Sequence, residues 1–151
     1  MAVELIGEWL GTLIEALEAD AGLRTVCGHA SGVRMVWEGR PGVAQFRLPC
    51  VSVSCDSDNP LPNMAGVESR PNLSIECVGK EKKDCREIYG YLHDNWTIPE
   101  RNGDQLLSTH FRLSLLYPTQ VLNPVPFRRV DGGEMVYLLP TLWNARITRI
   151  G

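Results

Sequence analysis

LPCVSVSCDSDNP, residues 48–60, places two cysteines five positions apart among serines and aspartates. Three readings are open to it: half a metal site, half a disulfide framework, or a strand carrying small apolar thiols. Period decides between them. Val51, Val53 and Cys55 alternate with Cys50, Ser52 and Ser54, the two-residue repeat of a half-buried strand. An odd separation sends two strand side chains to opposite faces, so Cys50 and Cys55 cannot easily chelate one ion together. Zinc knuckles also use a tighter C-x₂₋₄-C spacing that closes a turn. The stretch is a strand, and the metal reading falls.

Working outward, VRMVW (33–37) reads as a short strand, joined to this one by a connection containing Gly and Pro. DSDNPLPNMAGVESRP (56–71) is polar, rich in turn formers, and reads as a long loop. NLSIECVG (72–79) alternates again, with Leu73, Ile75 and Cys77 on its apolar face. A helix follows at 81–96, where Cys85, Ile88, Tyr89, Leu92 and Trp96 make a buried stripe. The clearest element is a helix over residues 3–21. Val3, Ile6, Trp9, Leu10, Leu13, Ile14 and Leu17 share one face, Glu4, Glu8, Glu15 and Glu18 lie opposite, and Gly22 follows as a stop.

Toward the C-terminus, HFRLSLLY (110–117) alternates Phe111, Leu113, Leu115 and Tyr117 with His110, Arg112 and Ser114. YPTQVLNPVPF (117–127) carries three prolines and is expected to be extended and loop-like, because proline donates nothing to a sheet ladder. A turn at Asp131-Gly132-Gly133 leads into one strand, and LWNARITRI (142–150) is expected to form another, with Trp143, Ala145 and Ile147 inward. Strands that mostly neighbour one another, with two helices inserted, predict one α+β domain over 1–151. Its sheet is mixed, mostly antiparallel, packed against two helices, with an extended Pro-rich arm at 118–127.

Length and composition agree with a single globular unit: 151 residues, 44% hydrophobic and 22% charged, leave no reason to expect disorder across the bulk. No apolar run approaches the roughly 20 residues needed to span a bilayer, and acids near the N-terminus argue against a secretion signal. Five irregularly spaced cysteines without an export signal are then expected to be reduced thiols packed as small hydrophobes. The net charge of −3 hides an asymmetry. Residues 1–100 hold 9 basic and 15 acidic side chains, and residues 101–151 hold 6 and 3, which suggests complementary surfaces between copies of the chain. The balance is too mild for a nucleic-acid binder.

No catalytic motif emerges. Cys27-Gly28-His29 is the only place where two metal-ligand types sit close together, and His93 and His110 lie in unrelated elements. No local signature surrounds a cysteine nucleophile, and no glycine pattern makes a phosphate loop. Neither enzyme activity nor a cofactor nor a metal is expected. Arg128 and Arg129, with Arg112, Arg146 and Arg149, are either ordinary solvated arginines or a contact patch for a neighbouring subunit.

The order of elements over residues 3 to about 97 resembles the tail terminator (tail completion) proteins of long-tailed bacteriophages. The likeness rests on the amphipathic first helix, the loop ending in RLPCVSVSCDSD, the polar loop, the strand NLSIECVG and the helix KEKKDCREIYGYLHDNW. The proline-rich segment and the strands after it are longer than that family leads one to expect. The resemblance implies a non-enzymatic virion protein of the tail and neck, assembled in the host cytoplasm. It would form a homohexameric ring that caps the tail tube and joins it to the head-to-tail connector, with DNA only passing through its channel and no membrane contact. A different phage neck or tail-tube-like protein, a cytoplasmic binding or adaptor domain, and a small cysteine or histidine enzyme are the alternatives. In the ring reading Val121, Leu122, Val125 and Phe127 anchor the arm on the next subunit. Arg128 and Arg129 then meet an acidic surface there, for which the helix face of Glu4, Glu8 and Glu15 is one candidate.

Overall fold

A computed structural model describes residues 2–39, 47–58, 68–99, 101–128 and 134–150, with the side chains of residues 2–7 outside the description. The chain is α+β. Three helices, α1 (Ala2–Glu18), α2 (Ala21–Cys27) and α3 (Lys82–Trp96), pack on one sheet. Its strands are β1 (Val36–Glu38), β2 (Cys50–Asp58), β3 (Glu68–Ser69), β4 (Pro71–Gly79), β5 (Gln105–Leu106), β6 (Phe111–Val121), β7 (Val125–Arg128) and β8 (Met135–Arg149). The order across the sheet is β1-β2-β4-β8-β6-β5, with β3 and β7 also paired to β8. The β1–β2 pair is parallel and the others are antiparallel.

The strand phase read from residues 50–55 holds. Val51, Val53 and Cys55 face the helices, while Cys50 joins a small cluster with Val78, Val136 and Leu138 on the other face. Leu73, Ile75 and Cys77 of β4 face the helices as expected, and so do Cys85, Ile88, Leu92 and Trp96 of α3 toward the sheet.

Two expected strands near the C-terminus are one. β8 runs unbroken for 15 residues, through Pro140. The Pro140 carbonyl accepts from Leu122 N–H, so its imino side faces the same way, toward the gap where the chain passes between β6 and β7. A missing donor there costs no ladder bond. Beside it, buried Thr141 Oγ1 donates to the Ile75 carbonyl and accepts from Trp143 Nε1 at 2.7 Å, which satisfies the polar atoms nearest the sheet centre.

β6 departs from simple alternation. A register shift between Leu113 and Leu115 changes the phase, so Phe111, Leu113 and Leu116 are buried under the helices. Leu115 and Tyr117 instead pair with Arg146 and Asn144 on the opposite face. A bulge adds one residue to one strand, and sequence alternation read straight through it puts every later side chain on the wrong face. The loop expected at 56–71 also contracts: β2 continues to Asp58, and β3 and β4 begin at Glu68 and Pro71. The turn expected at 131–133 lies outside the described residues.

The N-terminal helix ends earlier than its apolar period suggests. It stops at Glu18, Asp20 caps a second short helix, and Gly28 ends that one in a left-handed conformation at φ 73°. Gly22 is therefore no stop but part of the first turn of α2. A Cβ at Gly22 would sit 2.7 Å from Tyr91 Cζ, too close for any other residue without movement. The closeness follows from Asp20. Its Oδ1 accepts from Gly22 and Leu23 N–H and from Tyr91 Oη at 2.6 Å, and its Oδ2 accepts from Trp96 Nε1 at 2.8 Å. One carboxylate thus joins α2 to α3. Burial, and after it the Asp20 carboxylate, push the Tyr91 hydroxyl up to about 12.

Replacing Asp20 by alanine removes a cap and leaves two aromatic donors unpaired. The expected loss is about 2–4 kcal/mol of unfolding free energy. Urea denaturation checks it, and the loss is expected to shrink in a Tyr91→Phe, Trp96→Phe background because the three side chains act together.

Candidate subunit-contact surface

Among the described residues seven large apolar side chains are exposed, and six of them lie on β8 or along its β6–β7 side. Tyr117, Val121, Leu122, Val125, Met135 and Leu142, each 37–50% exposed, lie where β6 ends, β7 begins and both run beside β8. Leu106 on β5 is the seventh. The register explains the grouping. Val121 pairs with Thr141, Val125 with Leu138, and Arg128 with Met135, so the segment read as a proline-rich arm is extended and lies along β8 of its own chain.

The outer side of β6 is covered by β5 at Arg112 and Leu113, and by Ile98 at Leu116. Among the described residues nothing pairs with 117–121 or 125–128 on their outer side. Cross-strand partners share a face, so Tyr117, Val125 and Leu142 lie on the sheet face away from the helices. Val121 and Met135 lie on the helix side beyond the helices' reach. The exposed apolar side chains are therefore divided between the two faces of this sheet margin.

Of the residues expected to make contacts, Val121, Leu122 and Val125 are exposed in this margin. Phe127 is half-buried against Val136 and Leu138, and Arg128 is exposed beside them. Arg129 and the side chain of Glu4 lie outside the described residues. Tyr117, Met135 and Leu142 complete the margin and were missed. Leu142 carried a signal, an apolar residue on the even positions of a strand whose odd positions face the helices.

The expected charge surfaces are arranged differently. Glu8 pairs with Arg149 at 3.8 Å and Glu15 with Arg34 at 2.8 Å, so the outer face of α1 is partly neutralised from within the chain. Glu18 accepts from the Met35 and Val36 N–H groups at 3.0 Å and pairs with Arg24 and Arg34. The arginines do not form one patch. Arg112, Arg146 and Arg149 stand at one end of β8 and Arg128 near the other, roughly 35–45 Å apart along the strand. An open cleft of about 510 Å³ lies between α1 and the β5–β6 turn, lined by Glu8, Thr12, Ser108, His110, Phe111 and Arg149.

The thiols are placed against chemistry. All five are free. Cys27 is buried in the main core, where burial pushes its thiol up to about 12, while the nearby His29 bonds the Pro49 carbonyl at 2.7 Å. Burial, then Asp58 and Asp56, push Cys55 up to about 11, and burial also raises Cys77 and Cys85. Raised thiols disfavour the thiolate that a nucleophile or metal ligand needs. Among the described residues no group of three His, Cys, Asp or Glu side chains is placed to hold a metal ion, and no helix is long and apolar enough to cross a membrane.

No family model matches the chain, and no curated protein matches it. Among solved structures, a chain from a virion of a native gene transfer agent particle is similar over 89% of this chain and 90% of that one, with 20% identity and a TM-score of 0.47. A likeness that loose carries no argument about what this chain does.

The thiols make stability fall at high pH. An unfolded cysteine loses its proton near its ordinary value of 9.0, whereas folded Cys27 keeps it to about 12. The contribution of Cys27 to stability is complete below pH 9 and is lost as the pH rises toward 12. Urea midpoints measured from pH 8 to 10.5 are expected to decline, and a Cys27→Ala variant to decline less steeply.

Proposed function

We propose that the chain is a structural protein of a tailed-phage virion, of the tail terminator kind, that works by assembling with copies of itself and catalyses nothing. The observation that carries this reading is the apolar margin at β6, β7 and β8. Six exposed large side chains on one sheet margin are more than solubility favours, and such patches mark surfaces that meet another protein. The order of elements supports the tail terminator assignment through the resemblance of residues 3–97. In that assignment six copies close a ring on the end of the tail tube, neck proteins dock on the ring, and DNA passes through it. The raised thiols and the lack of a catalytic motif support a role without turnover.

Native mass spectrometry of the purified protein is expected to show a closed oligomer, with six copies the predominant species. A Val121→Ser, Leu122→Ser, Val125→Ser variant is expected to be monomeric with an unchanged circular dichroism spectrum, since all three side chains are exposed in the single chain. A wild-type protein that stays monomeric at tens of micromolar would favour the binding or adaptor domain instead.

A further inference from the structure

We draw no further inference here: the strongest candidate, the exposed apolar side chains along the β6–β7 side of β8, carries nothing beyond the reading already given, because nothing in the structure shows what covers them.

Discussion

β8 is paired along both sides, and that double pairing fixes the rest of the molecule. β4 and β3 hold one side of it, β6 and β7 the other, so its residue phase is imposed on four strands at once. Odd positions from Leu139 to Ile147 build the main core under the helices, and Val136 and Leu138 build the smaller cluster behind. A slip by one residue would exchange the two sets, exposing Trp143 and burying Arg146. Few alternatives to the native register survive that penalty.

The helices are tied to this frame by two carboxylates. Asp20 links the start of α2 to Tyr91 and Trp96 of α3, and Glu18 links the end of α1 to the backbone of Met35 and Val36. Glu18 reads as a member of the solvated glutamate face when the chain is taken as a pattern. In the folded chain both acids accept hydrogen bonds from buried or half-buried donors, where charge-assisted bonds are worth most. Four acids of the first 20 residues, Glu8, Glu15, Glu18 and Asp20, are thus engaged within the chain.

What could be read in advance follows from how local the cause is. Alternation over six residues placed Cys50 and Cys55 on opposite faces, and a helical stripe placed Cys85, Ile88, Leu92 and Trp96. The break between α1 and α2 depends on Tyr91 and Trp96, more than 70 residues away, and no window around Gly22 contains that information. The phase change in β6 depends on its register against β8, and so does the exposure of Tyr117. For the contact surface, Val121, Leu122 and Val125 were legible as apolar residues among prolines. Met135 and Leu142 joined them only once two segments read as separate strands proved to be one.

The clasp of Glu18 and Arg34 on β1 has a further consequence. A sheet this wide is exposed to runaway fibre growth wherever a bare strand backbone is offered to another chain. On the flank at β1 the Val36 amide and carbonyl are already engaged by an acid and a base that also bind each other, and on the other flank prolines thin out the donors. Each copy therefore carries its own stoppers against amyloid-like stacking.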